Sequence, residues 1–322
     1  MENNSQNLIK VENIYKQNYS KILNIFVKNQ ILFLSRIYNR CFNDLESGSI
    51  VLYFSKILHK SILEEKINDL NYNISLVNFW DKIDNTPKRK LNIISIAKGT
   101  CLPKETVRRK INKLISKNIL KKKDNKISWE INAFRKITNT KIIEQEMYEL
   151  SEFIYIVAYH SGQEISKTKI IASIKKNFSF FWYHYLNAQL KYFYVWQNEF
   201  NDLELLLIYQ ECIYQANKIY EKEKIDYENH FLTKKSFFKG IVPSVSATTI
   251  NNTTKIPRAT CIRKLDKLVK IGFLKKNSFT KKYSTNINFT THVLPQSKKI
   301  SKEAIGIFSK FYLRVVKIII ND

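Results

Sequence analysis

LNIISIAKGTCLPKETVRRKINKLISKNILKKKDNKISWEI, running from Leu91 to Ile131, decides how the rest of the chain is read. Its first apolar block, Ile93 to Lys98, predicts a short helix. A turn from Gly99 to Leu102 follows, and Pro103 suits the first position of a second helix because proline has no amide hydrogen to leave unbonded there. In that second helix Val107, Ile111, Leu114 and Ile115 recur at helical spacing and form one buried face. Lys104, Glu105, Arg108, Arg109 and Asn112 fall on the opposite, wet face. A stripe that mixes cations, a carboxylate and an amide can pair with base edges. Ile119 to Lys123 and Ile127 to Ile131 then predict two strands around an Asp124-Asn125 turn. Any amphipathic helix ending in lysines shows a similar stripe, so periodicity alone does not separate a DNA reader from a solvated surface helix.

The order helix, turn, helix, hairpin resembles a winged helix-turn-helix. More locally, Lys104-Glu105-Thr106-Val107 with Arg109 is similar to the recognition helix of the cyclic-AMP-receptor type of bacterial regulator. That resemblance covers only this unit, and no β-roll for a cyclic nucleotide is visible. It implies that Lys104, Glu105 and Arg109 touch bases. One departure from the pattern is Cys101, which stands where such turns commonly carry glycine.

The 322 residues suffice for two domains and substantial cores. Lysine and arginine number 54 against 28 acids, a net charge of +26 that makes a polyanion the first partner to consider. An AT-rich genome would enrich lysine, asparagine and isoleucine without selection for binding. It would enrich glutamate as well, and here acids are outnumbered. An anionic membrane surface is the weaker option. Cys41, Cys101, Cys212 and Cys261 are widely separated, with neither a zinc-type pair nor a disulfide framework. MENNSQNLIK lacks the apolar core of a signal peptide, and the greasiest runs are too short to span a bilayer. A reduced, cytoplasmic setting without membrane attachment is therefore expected. Scarce glycine and proline point to a mainly α protein with small β wings.

Apolar spacing from Asn7 to Arg40 predicts one long helix. Phe42-Asn43-Asp44-Leu45-Glu46 follows, with Asp44 or Asn43 as the N-cap of a second helix. Asn71 to Lys90 is polar and reads as a loop. Helices are expected from Thr138 to His160 and, after Ser161-Gly162, from about Ser166 to Asn198. The latter is rich in aromatics from Phe178 to Trp196, which could stack single-stranded bases or line a ligand pocket, but which suit a core or helix seam better.

Phe200-Asn201-Asp202-Leu203-Glu204 then repeats the earlier pentapeptide residue for residue. Farther on, IPRATCIRKLDKLVKIGFLKK from Ile256 aligns without a gap to LPKETVRRKINKLISKNILKK from Leu102. Two correspondences in the same order predict an internal duplication: a first repeat over 1–137 with its winged helix at 91–131, a connecting helix at 138–164, and a second repeat over 165–322 with its winged helix at 245–289. In the second unit Cys261, Leu265, Leu268 and Val269 supply the buried face, while Arg258, Ala259, Ile262, Arg263 and Asp266 occupy the stripe. Its wing would run from Phe273 through Lys276, around Asn277 to Lys282, and back to Phe289. A closing helix is expected from about Ser301 to Ile320.

Two reading helices one DNA turn apart, roughly 34 Å, meet successive major grooves. The duplicated chain would make that pair within one molecule, its long helices serving as the dimer interface, either as a monomeric pseudo-dimer or as a homodimer. Lys104-Glu105 becomes Arg258-Ala259 in the second copy, so the expected site on double-stranded DNA is asymmetric. Lys104, Glu105, Arg108, Arg109 and Asn112, with Arg258 and Arg263, are the candidates for base contacts. Thr106, Lys110, Lys113, Thr260, Lys264 and Lys267 are candidates for phosphate, and Lys122, Lys123, Lys126, Lys281 and Lys282 for backbone or minor groove.

Catalysis finds little support. His59, His160, His184, His230 and His292 are scattered, and no metal motif, nucleophile elbow or phosphate-cradling glycine loop occurs. No cofactor is expected, and Glu46 and Glu64-Glu65 read as surface charges. A redox switch at Cys101 and Cys261 competes with plain structural thiols. The leading expectation is a transcriptional regulator that reads duplex DNA, with no effector named by the sequence. A plasmid-type replication initiator with tandem winged helices and a protein-interaction scaffold are the alternatives.

Overall fold

A helix that is apolar on every face must be surrounded by protein. Leu203 and the unbroken run Leu205 to Tyr209 are all buried, as are Phe178, Phe181, Trp182, Tyr185, Tyr192, Phe193 and Trp196. Those aromatics are thus core residues, carried by one helix that packs beside the helix bearing the leucine run. The computed structural model describes residues 2–86, 88–130, 132, 135, 137–222, 243–285 and 293–322. Among the described residues the fold is mainly helical with two small antiparallel sheets.

In chain order the elements are α1 (Glu2–Gln17), α2 (Tyr19–Arg40), α3 (Leu45–Asn68), α4 (Leu76–Asn85), α5 (Ile93–Thr100), α6 (Lys104–Ser116), β1 (Leu120–Lys123) and β2 (Lys126–Trp129). They continue with α7 (Thr140–His160), α8 (Lys167–Lys176), α9 (Phe178–Phe200), α10 (Leu203–Lys222), β3 (Ser244–Val245), α11 (Ala247–Thr254), α12 (Arg258–Lys270), β4 (Leu274–Lys276), β5 (Tyr283–Thr285) and α13 (Val293–Asn321). Among the described residues no helix is long and apolar enough to cross a membrane.

The packing is reciprocal. Helix α2 lies against α10, and α9 against α3. Likewise α1 packs on α13 and α8 on α7, while α7 packs on α2 and α13 on α9. Each long helix before an FNDLE corner therefore leans on the helix that follows the other corner. Ion pairs reinforce one of these seams: Arg36 donates from Nη1 to Oε1 of Glu149 at 2.8 Å, and Arg40 Nη2 lies 2.9 Å from Oε1 of the buried Glu146.

Four expectations require correction. The helix from Asn7 to Arg40 is broken at Asn18, and that from Ser166 to Asn198 is broken at Asn177. Both asparagines have non-helical backbone, with φ −117° and −111°. Each side-chain amide donates to the carbonyl four residues back, Ile14 at 3.1 Å and Ser173 at 3.4 Å. The backbone amides keep their bonds to the same carbonyls, at 3.0 and 2.9 Å, so each break is a change of backbone angle at one residue. The polar stretch from Asn71 to Lys90 is not all loop, because Leu76, Phe79 and Ile83 bury one face of α4. Their spacing of three and four was helical all along. Pro103 precedes α6 as its N-cap instead of occupying its first turn.

The FNDLE corners share an aspartate cap but enter it differently. After α2, Phe42 and Asn43 take positive φ of 60° and 56°, and Asp44 caps α3 by accepting from the amides of Glu46 and Ser47, both at 3.1 Å. After α9, Asn201 takes φ 50° and Asp202 accepts from the amides of Glu204 at 3.0 Å and Leu205 at 3.4 Å.

Candidate nucleic-acid interface

Each half presents a short helix, a tight turn, a thirteen-residue helix and a hairpin. In the first, Asn92 caps α5 by accepting from the Ser95 amide; in the second, Ser246 caps α11 by accepting from the Thr249 amide. Helix α5 extends to Thr100, so Gly99 is helical and does not form the turn. The glycine is needed for another reason, since the ring of Tyr53 on α3 occupies the space a Cβ would take. The left-handed residue is Cys101, with φ 56°, and its counterpart Lys255 has φ 63°. A chain can place a non-glycine there at a cost of about 1–2 kcal/mol.

Helix α6 buries Val107, Ile111 and Leu114, and α12 buries Cys261, Leu265 and Leu268. The stripe on α6 is open to solvent at all five positions: Lys104, Glu105, Arg108, Arg109 and Asn112. On α12 Arg258, Ala259, Arg263 and Asp266 are exposed, and Ile262 is half-buried. Thr106 and Thr260 are half-buried. Glu105 accepts from Arg108 at 2.9 Å, and that hydrogen bond holds its carboxyl below the usual range. In the second unit Arg258 Nε donates to Oγ1 of Thr248 at 3.3 Å. Asp266 accepts from Lys276 at 2.7 Å and from the Tyr283 hydroxyl at 2.9 Å, tying helix to hairpin.

Three of the lysines expected at phosphates point elsewhere. Lys110 Nζ lies 2.7 Å from Oδ2 of Asp44 and 2.9 Å from Oε2 of Glu46. Lys113 reaches Oδ2 of Asp44 at 3.0 Å and the Phe42 carbonyl at 3.3 Å. Lys264, buried, repeats the arrangement with Oδ2 of Asp202 at 2.6 Å and Oε2 of Glu204 at 2.8 Å. These cations brace α6 and α12 against the FNDLE corners, and Glu46 is a partner in that brace, not a surface charge. Burial works to raise the Asp44 carboxyl, but hydrogen bonds from Lys110, the Ser47 amide and Lys113 outweigh it and bring the group down to about 2. Lys267 remains exposed.

The first hairpin pairs Leu120 with Trp129 and Lys123 with Lys126, closed by Asp124 and Asn125 at φ 50° and 56°. Two successive left-handed residues match the twist of the strands they join. A bridge between Leu91 and Ile127 adds a third, minimal strand. The second hairpin has the order β3-β5-β4. Lys122, Lys123, Lys126, Lys281 and Lys282 are all exposed. Ile131 and the return of the second wing from 286 to 289 lie outside the described residues, as do His230 and His292.

No family model, curated protein or solved structure matches the chain.

The cysteines of the two units differ. Cys261 is buried, which pushes its thiol up to about 11, while Cys101 is exposed yet also shifted upward by partial desolvation. Neither has the lowered pKa of a reactive thiol. Of the aromatics on α9, Tyr192 and Trp196 line an apolar cavity of about 90 Å³ shared with Tyr19, Phe26, Tyr209 and Phe308. Sequence reading missed the brace altogether. Its one available signal was that Asp44 and Glu46 recur as Asp202 and Glu204 while Lys110 recurs as Lys264.

Proposed function

We propose that this chain is a sequence-specific regulator of transcription that binds double-stranded DNA, built as an internal duplication of a winged helix-turn-helix unit and acting as an intramolecular pseudo-dimer. The observation that carries the reading is the pair of braced helices. In both halves an inward lysine grips the acids of an FNDLE corner and leaves an outward stripe in water: Lys104, Arg108 and Arg109 beside Glu105 and Asn112 on α6, and Arg258 and Arg263 beside Ala259 and Asp266 on α12. A helix held on one side and bare on the other has the form a major groove accepts.

Matching details support common descent of the halves. Asn92 and Ser246, Cys101 and Lys255, Pro103 and Pro257, Asn118 and Gly272 fall at one constant offset and play the same backbone roles as cap, left-handed turn, N-cap and helix stop. The reciprocal packing of α2 on α10 and α9 on α3 supports a pseudo-dimer, because each half lends its long helix to the other. The unlike stripes favour a target with unlike half-sites.

Selection of bound duplexes from a random pool, followed by footprinting, tests the proposal. Two unlike half-sites about one helical turn apart and a binding constant that falls steeply with salt are expected. Salt-insensitive or absent DNA binding would favour a protein scaffold. A footprint on direct repeats beside an origin would favour a replication initiator.

A further inference from the structure

The two hairpins differ in one respect that the matching helices do not. Leu120 pairs with Trp129, whereas Leu274 pairs with Thr285, so the second hairpin encloses a longer tip. That tip is ordered by its own hydrogen bonds. Asn277 Oδ1 accepts from the amides of Phe279 at 2.9 Å and Thr280 at 2.8 Å, and the Asn277 amide donates to the Lys282 carbonyl at 2.9 Å. At its apex Phe279 is 93% exposed, more than any other large apolar side chain among the described residues.

Its surroundings are cationic. Lys275, Lys276, Lys281 and Lys282 flank it and all are exposed, and no acid occurs between Lys267 and Thr285. Lys276 is held by Asp266, which pins the strand leading to the tip. The first hairpin has nothing comparable, its apex being Asp124 and Asn125. A hydrogen-bonded loop that offers one bare ring, followed two and three residues on by the exposed Lys281 and Lys282, is suited to a polyanion with apolar matter behind its charges. Duplex DNA has that composition: phosphates border the minor groove, and stacked bases line its floor.

We propose that Phe279 is a wedge that the second hairpin inserts between base pairs from the minor groove, kinking the duplex at one side of the site only. The inference rests on the DNA-binding reading given above. Lys281 and Lys282 would clamp the bordering phosphates, and the ring would fill the gap left by partial unstacking. Wedges of this kind bend DNA by about 20–90° toward the major groove. Because the first hairpin lacks the ring, the bend would be off-centre.

The test uses the full chain and a duplex selected by it, labelled at both ends for energy transfer and carrying 2-aminopurine at successive steps. Wild-type protein should shorten the end-to-end distance and brighten 2-aminopurine at one step beneath the second half. Phe279→Ala, whose melting temperature should be unchanged, is expected to abolish both signals, to weaken binding about tenfold and to keep the salt slope. Lys281→Ala with Lys282→Ala should lower that slope by about two units. Phe279→Trp should keep the bend, with its indole emission quenched on binding. A wild-type complex that leaves DNA straight, or a Phe279→Ala complex bent as much as wild type, overturns the wedge while leaving the DNA-binding reading intact. Loss of binding to phosphatidylserine vesicles in Phe279→Ala, with bending unaffected, would overturn it in favour of a membrane contact. Failure of the wild-type chain to bind any duplex removes the parent reading and the wedge together.

Discussion

The ammonium nitrogen of Lys110 lies 2.7 Å from a carboxylate oxygen of Asp44, and 66 residues of chain separate the two. The same carboxyl group caps α3, so one side chain starts a helix and anchors another. With Lys113 on the same oxygen, the charge on Asp44 is compensated twice. The orientation of α6 on the body of the molecule therefore depends on this carboxylate.

Asp44→Asn should retain some capping but lose the brace, at a cost of about 3 kcal/mol, the range for breaking a partly buried ion pair. Lys110→Ala should destabilise too, while leaving the salt dependence of DNA binding as it is. Denaturant unfolding beside binding titrations at several salt concentrations separates the alternatives. A slope lowered by about one unit without loss of stability would mean that Lys110 contacts phosphate after all.

Arg109 has no buried partner to lose, so Arg109→Ala should leave stability within about 0.5 kcal/mol. Discrimination between a selected site and random DNA should fall by about 1–3 kcal/mol. Lys122→Ala with Lys123→Ala should instead weaken specific and random binding alike. Parallel titrations on both DNAs decide, and undiminished discrimination in Arg109→Ala would sink its assignment to bases.

His59 bridges α3, α4 and α9: its Nδ1 is 3.2 Å from the Ser179 hydroxyl, and its ring stacks on Phe79 with centroids 5.0 Å apart. Burial pushes the imidazole from 6.5 down to about 3. Below pH 6.5 the unfolded chain takes up a proton that the folded chain refuses. The stability contributed is thus complete above that pH and is lost as pH falls toward 3. Between those limits the wild type should lose about 1.4 kcal/mol per pH unit more than His59→Phe. An equal loss of unfolding free energy between pH 6 and pH 4.5 in wild type and His59→Phe, read by chemical unfolding, would show that the imidazole is hydrated.

Gly99 and Cys101 are two residues apart and should respond oppositely. Gly99→Ala drives a methyl group into the Tyr53 ring and should cost about 1–3 kcal/mol. Cys101→Gly relieves a left-handed residue and should raise stability by up to about 1 kcal/mol. Thermal melts of the two variants check both signs.

What could be read from the letters was local. Val107, Ile111 and Leu114 announced a buried stripe, Asp124-Asn125 a hairpin, and the recurrence of FNDLE two corners with the same aspartate cap, because each depends on residues a few positions apart. Apolar spacing predicts two unbroken helices that the structure interrupts at a single asparagine each, Asn18 and Asn177, where the backbone leaves helical geometry. That event leaves no mark in apolar spacing. Helix α4 was hidden because its three buried residues stand among polar ones.

The direction in which each lysine points was not legible at all. Lys110 and Lys264 border the buried stripes of their helices, and a helical wheel leaves such positions free to face water or protein. Folding brought Asp44, Glu46, Asp202 and Glu204 beneath them, and the attraction of a desolvated carboxylate outweighed hydration of the ammonium group. Sequence periodicity thus settled which stripe α6 and α12 each hide, and not where the longest helices break. Long-range contact settled which cations are spent inside the protein and which, such as Lys104 and Arg109, stay outside, because charge pairing across tens of residues follows distance in space and not order along the chain.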